Sequence, residues 1–164
     1  MMVALGLGGP GAAAFHLAAH AAFKSTLFLA AGIVQERAGT RILVRLGGLA
    51  RALPFAGAAF LVAALSLAGV PPLSGFRSEE AILAVASRHG PGTGALVVLL
   101  VLLGGIYIGR AGAATFLGRR RGAVGPSGPD WAMRAGLGLL ALAAAGLGWL
   151  LAGRFGAALP FAAP

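Results

Sequence analysis

FHLAAHAAFKSTLFLAAGIV, residues 15–34, sets two histidines and a lysine at intervals of four in an otherwise largely apolar stretch. On an α-helix that spacing aligns His16, His20 and Lys24 in one stripe, each about 6 Å above the last. Residues 12–34 suffice to cross a bilayer, which takes about 20 mostly apolar residues. The stretch therefore reads as a spanning helix carrying an ionisable stripe.

The flanking chain has the same character. Residues 52–76 form a run of 25 without formal charge, 90–109 a run of 20, and 135–153 a run of 19. The 164 residues are 59% hydrophobic and 10% charged, whereas a soluble domain is about 25% charged. Mean hydropathy is +0.91. Such a chain is too apolar for disorder and too poor in polar residues to cover a soluble globule. The fold class predicted is an all-α integral membrane protein of about five spanning helices, one of them interrupted.

The net charge of +9 does not indicate nucleic-acid binding. The arginines lie between the apolar runs, Arg37, Arg41, Arg45 and Arg51 in one gap and Arg119, Arg120 and Arg121 in another, where they meet lipid phosphates. There is no cysteine, hence no disulfide, thiolate metal site or iron–sulfur ligation. The N-terminus lacks the basic region of a signal peptide. Twelve of the thirteen basic residues are arginine, so Lys24 is the sole lysine.

Residues 1–9 are apolar but too short to span, and Pro10-Gly11 punctuates them. A second helix is predicted over 53–70, with Pro54 in its first turn. Pro71-Pro72 stops it, because two prolines remove two N–H donors and force the preceding residues out of the α region. Residues 73–75 then read as non-helical chain, with Ser78 N-capping a short helix over 79–87. A loop over 88–94 holds His89, read as solvated. A helix over 95–117, a basic loop over 118–129 and a last span over 131–152 follow, with Trp131 and Trp149 near the ends of that span as interfacial anchors. If each helix is one crossing, the two arginine-rich loops fall on opposite faces, and the positive-inside rule gives no orientation.

Three readings fit the His16/His20/Lys24 stripe. Imidazole and a desolvated amine both exchange protons near neutrality, which makes a relay. The stripe also suits a polar helix contact. Two histidines at i,i+4 suit zinc as well, although no cysteine and no carboxylate in the helix interior completes such a site. The second constellation is PPLSGFRSEE, residues 71–80. A helix broken inside a membrane protein at Pro71, Pro72 and Gly75 frees backbone groups that only protein or water can satisfy, and such breaks line ion paths. Glu79 and Glu80 follow within a turn. Either they carry protons, or they favour a helix N-terminus at the membrane surface, paired with Arg77. Tyr107 and Arg110, one turn apart in IYIGR, are possible supporting residues, Arg110 pairing a buried carboxylate or reaching the headgroups.

The block at 15–34, RLGGLARALP (45–54), SLAGVPPLSGFRSEEAIL (66–83) and YIGRAGAATFLG (107–118) together resemble the proton-pumping antiporter-like subunits of respiratory complex I. Among relatives the chain is most similar to the L-type (chain 5) member of that group, and to the large subunit of Mrp sodium/proton antiporters. Membrane subunits of energy-converting hydrogenases share the core. The resemblance implies a fold of about fourteen spanning helices with two inverted five-helix repeats, each containing a broken helix. This chain corresponds to the second repeat from late in its first helix, plus the following helix. Residues 1–118 would form the partial antiporter-like domain, 119–130 a basic loop, 131–153 an additional span and 154–164 a short tail. MMVALGLGG resembles the second half of a spanning helix, so a C-terminal fragment of a larger polypeptide is expected, lacking the first repeat.

His16, His20 and Lys24 match the family's HxxxHxxxK relay positions. Glu79 stands where many members carry Lys in GFxSK; here the motif reads GFRSE, and Arg77 is expected to hold Glu79 ionised. The resemblance implies proton translocation without covalent chemistry. No catalytic site and no cofactor belong to this chain; NAD and quinone are used by the parent complex. The implied partners are other membrane-arm subunits, lipid and protons, in a bacterial inner membrane crossed several times. The competing expectations are an Mrp-type sodium/proton antiporter, a hydrogenase membrane subunit, and a truncated bundle that transports nothing.

Overall fold

Helix α2 spans Pro10–Ala38, 29 residues and about 43 Å at 1.5 Å per residue, in a computed structural model that describes residues 1–125 and 131–155. Pro10 opens it, where a missing N–H costs nothing, and Gly39 closes it at φ 65. It runs past both predicted ends because Gln35–Arg37 adds a polar turn beyond the apolar stretch. A short α1, Met2–Gly6, precedes it. The other helices are α3 (Pro54–Leu67), α4 (Ser74–Ser87), α5 (Pro91–Phe116) and α6 (Trp131–Phe155), with a single 3-10 turn at Leu43–Arg45. Arg88–Gly90 alone separates α4 from α5, a tighter turn than the predicted loop, because Pro91 already occupies the first turn of α5. Helix α6 continues through Phe155, beyond the predicted start of the tail. The rest of that tail, 156–164, and residues 126–130 of the basic loop lie outside the described residues.

The helices α3 and α4 have 14 residues each, about 21 Å apiece, short of the roughly 30 Å hydrocarbon core. Together they make one crossing. The connections on either side establish this directly. Gly48 N–H donates to the Leu117 carbonyl at 2.8 Å, and Ala50 N–H to the Phe116 carbonyl at 3.1 Å. Gly125 N–H reaches the Arg37 carbonyl at 2.8 Å, and the Arg121 guanidinium the Val44 carbonyl at 3.4 Å. The ends of α2 and α5 therefore lie at the same end of the bundle. The two basic loops therefore share one face, and the count of one crossing per helix, which had left the orientation open, fails at the broken helix.

The break is built from defined parts. Gly69, at φ 67, ends α3 in a Schellman motif, with Val70 N–H on the Leu65 carbonyl (3.0 Å) and Gly69 N–H on the Ser66 carbonyl (3.2 Å). Helix α4 then starts at Ser74, five residues earlier than predicted. Residues 74 and 75 are helical, and Ser78 is an interior residue rather than an N-cap. The reason is tertiary. Ser66 Oγ accepts the Gly75 N–H at 3.0 Å and donates to the Ala144 carbonyl of α6 at 2.9 Å. The Ser74 hydroxyl donates to the Ala144 carbonyl, the nearer of two acceptors, with the Ala143 carbonyl at 3.0 Å beside it. Helix α6 thus supplies acceptors for both serines beside the break.

Packing is dominated by small residues. Helix α2 sits against α3, α4 and α6. Its Ala19, Phe23 and Leu27 are buried with Ala63 and Ala64 of α3, Ile108 of α5 and Ala144 of α6. Alanines let helix backbones approach closely, which is how helices associate where lipid supplies no hydrophobic drive. The outer side of α5 shows Leu99, Leu102, Leu103 and Ile106, all more than half exposed, a surface suited to lipid tails. Helices α2, α5 and α6 are each long and apolar enough to cross a membrane.

Two outcomes are expected. The natural chain has no cysteine, so Val44→Cys and Ala123→Cys should both react with an impermeant maleimide from one side of sealed vesicles, and His89→Cys only from the other. Reaction of the first two from opposite sides contradicts the single crossing. A methyl on Gly75 would overlap the Ser66 carbonyl, so Gly75→Ala should lower stability by roughly 1–3 kcal/mol. Gly146→Ala, with open space around it, should leave thermal unfolding in detergent unchanged.

Candidate functional site

Lys24 is the central residue of α2, with as many helical residues before it as after. It is half-buried, and it borders two cavities. The first, about 290 Å³, is lined by His16, His20, Lys24, Glu79 and Tyr107 among apolar side chains including Phe23, Leu67 and Val101. The second, about 550 Å³, again includes Lys24 and Tyr107 and extends past Phe28 and Gln35 to Thr40 and Arg41 at the basic-loop end. The two spaces share Lys24, Tyr107 and Ile108. A lysine at mid-helix thus stands where they adjoin.

Below Lys24 the stripe holds its helical register. The His16 and His20 rings lie 5.7 Å apart between centroids. Phe23 presents its edge to His20 at 5.1 Å and to His16 at 6.4 Å. That aromatic wall fixes the rings from the core side and leaves their polar atoms to the cavity and to α4. His16 Nδ1 is 3.0 Å from Ser78 Oγ on α4, so the stripe touches the helix that begins at the break.

Glu79 enters the same cavity from α4. Its carboxylate packs against Gly69, where a methyl group would collide with it. The positive φ is what calls for a glycine there, and the missing side chain leaves room for the carboxylate to pack. The sequence thus brings four expected residues, His16, His20, Lys24 and Glu79, to one space from two helices. Tyr107 joins them from α5.

The other expected residues are placed differently. Arg77 does not pair with Glu79. It forms the one ion pair seen among the described residues, with Glu80 at 2.7 Å, and its guanidinium lies 5.1 Å over the Trp149 ring. The local pairing expected for both carboxylates thus holds only for Glu80, since helical spacing i,i+3 favours it. Arg110 is exposed and borders neither cavity. Pro71 and Pro72 are joined by a cis peptide bond, and the Trp149 indole N–H donates to the Pro72 carbonyl. Trp149, expected as an interfacial anchor, is therefore a clasp on the break. His89 is exposed, its Nδ1 3.1 Å from the Val85 carbonyl. Among the described residues no group of three or more His, Cys, Asp or Glu is gathered for a metal ion.

Sequence reasoning missed Ser66, Gly69 and Ser78 as parts of the site. Ser78 carried a signal, a serine directly before two glutamates, but that pattern is also a helix-cap signature. Its partner His16 is 62 residues away, a distance no local pattern spans.

Comparison with known proteins gives a consistent answer. Residues 1–104 match the family model described as NADH:quinone oxidoreductase/Mrp antiporter, TM. The chain is 38% identical over 130 residues to the chloroplastic NAD(P)H-quinone oxidoreductase subunit 5 of Chaetosphaeridium globosum, covering 74% of this chain and 19% of that protein. It is 48% identical over 90 residues to NADH-ubiquinone oxidoreductase chain 5 of Chlamydomonas reinhardtii, covering 53% and 16%. It is 47% identical over 87 residues to the A/B component of a probable K(+)/H(+) antiporter of Rhizobium meliloti, covering 51% and 9%. The chain thus spans between 9% and 19% of the length of these relatives.

The clasp gives an expected outcome. Trp149→Ala removes both the cation–π contact and the hydrogen bond to Pro72, at a cost of about 1 kcal/mol at this partly exposed position. Trp149→Phe keeps the ring and should recover part of that loss. Thermal unfolding of the purified chain in detergent measures both.

Proposed function

We infer function from one premise: this chain belongs to the NADH:quinone oxidoreductase/Mrp antiporter family of membrane proteins. The reading it supports best is proton translocation by an antiporter-like subunit in the membrane arm of a quinone oxidoreductase. The observation that carries it is Lys24 at the junction of two cavities. A proton entering from the end marked by Gln35, Thr40 and Arg41 meets the lysine first. His20 and His16 follow at one-turn intervals, and Glu79 closes the series beside the break.

Each group has a chemical part. A lysine amine binds and releases one proton, and here it stands among mostly apolar side chains where few other groups compete for that proton. Imidazole gives and takes a proton at different nitrogens, which suits an intermediate step. A carboxylate in place of the usual lysine at position 79 still binds one proton, with the charge inverted. No bond other than those to hydrogen changes. Driving energy comes from partner subunits, which would hold the NAD and quinone chemistry and bias the occupancy of these groups through conformation or electrostatics.

The broken helix is the element through which such a bias acts. Glu79 rides on α4, while the glycine it packs against ends α3. A small rotation of one half against the other changes what faces the carboxylate. Orientation follows from the shared face of the two basic loops. With Arg37, Arg41, Arg45, Arg51 and Arg119–Arg121 at one end, the positive-inside rule sets that end toward the cytoplasm of a bacterial inner membrane.

A second reading, cation/proton exchange without a redox partner, draws support from the 47% identity to the Rhizobium meliloti antiporter component. The two readings separate by energy source. In inverted membrane vesicles from the native host, NADH-driven acidification should fall about tenfold or more in Lys24→Met, given the roughly 10²–10⁴-fold worth of a positioned proton-transfer group. Assembly, checked by native electrophoresis, should persist. Unchanged acidification in an assembled complex removes the proton-path reading. Loss confined to potassium- or sodium-driven pH change selects the exchanger instead.

A further inference from the structure

Ser78 is fully buried in the second turn of α4. Its Oγ lies 2.9 Å from the Gly75 carbonyl and 3.0 Å from His16 Nδ1. A hydroxyl has one proton to give, and a carbonyl oxygen can only accept. The bond to Gly75 therefore uses the Ser78 proton. Toward His16 the same oxygen can only accept, so Nδ1 must carry a hydrogen. The reverse arrangement, with Ser78 donating to Nδ1, would leave the Ser78 and Gly75 oxygens facing each other at 2.9 Å with no hydrogen between them.

We propose that Ser78 holds neutral His16 in the Nδ1–H tautomer and so reserves Nε2 as the atom that takes up and releases a proton. The role in transport rests on the proton-path reading; the tautomer assignment stands on the hydrogen bonds alone. The assignment has a mechanistic consequence. Imidazolium donates from both nitrogens, so the Nδ1–H to Ser78 bond is the same in the neutral and charged forms. A proton can load and unload at Nε2 without rotation of the hydroxyl or the ring. The acceptor sits two turns at most from the break, on the helix whose first residues are tied to α6 by Ser66 and Ser74. Displacement of α4 relative to α2 would lengthen the Ser78–His16 bond and release the tautomer. Ser78 is thus a positioning residue that acts through His16, and it couples the break to the relay.

The test is nitrogen solid-state NMR of the full chain in phospholipid bilayers, with ¹⁵N-labelled histidine, at alkaline pH. The His16 signals are identified by their loss in His16→Gln. The wild type should show a protonated Nδ1 and a bare Nε2. In Ser78→Ala that pattern should be lost in favour of the Nε2–H form that solvated histidine prefers, and Ser78→Thr, which keeps the hydroxyl, should restore it. That set of results supports the assignment whatever Lys24→Met does to proton flux. A bare Nδ1 in the wild type overturns it, and needs no variant to fold. So does an Nδ1–H signal that survives in Ser78→Ala, even where Lys24→Met abolishes flux.

Discussion

A helix interrupted within hydrocarbon frees peptide groups that have no water to turn to. The architecture around 68–74 follows from meeting that demand. The glycine motif at the end of α3 returns two N–H groups to their own helix. Ser66 then serves as both acceptor and donor, taking the Gly75 N–H and passing a hydrogen to α6. Trp149 satisfies the Pro72 carbonyl from the same helix. Helix α6 is therefore bound to the interruption by polar contacts at three residues, in addition to its packing on α2. Without those contacts α4 would have no reason to begin at Ser74, and Ser78 would not reach His16.

The interruption also solves an electrostatic problem. A charged side chain on an unbroken helix in lipid has only its own turn for company. Here α3 stops short, and the space beside its end admits Glu79 opposite the His16/His20/Lys24 stripe. The charges that face lipid headgroups are nearly all arginines at one end of the bundle, where the connections are stitched together backbone to backbone. The ionisable groups of the interior are few and convergent. Arg77, the one cation next to Glu79 in sequence, is turned outward to Glu80 and Trp149 and so leaves the cavity to Lys24.

Much of this was legible in the sequence. Apolar stretches of spanning length located α2, α5 and α6. Fourfold spacing aligned the stripe, and the double proline located the break. What was not legible depends on contacts between distant segments. The start of α4 was misread because Ser78-Glu79-Glu80 has the look of a helix cap, while the true start is fixed by α6 carbonyls some seventy residues away. The side of the second basic loop stayed open because nothing in the sequence shows that two half-length helices make a single crossing. Of the two carboxylates read as partners of Arg77 only Glu80 pairs with it, because on a helix i,i+3 meets and i,i+2 does not.

The alanine seams between α2, α3 and α6 have a consequence for how this sequence can vary over time. Where backbones touch through Ala19, Ala63 and Ala144, any larger side chain must push a helix away and with it the serine contacts at the break. On the outer face of α5, leucine, isoleucine, valine and phenylalanine are interchangeable to a lipid tail. Mutational drift is thus channelled outward. The large residues of that outer face are the more replaceable, and the small residues of the seams the less.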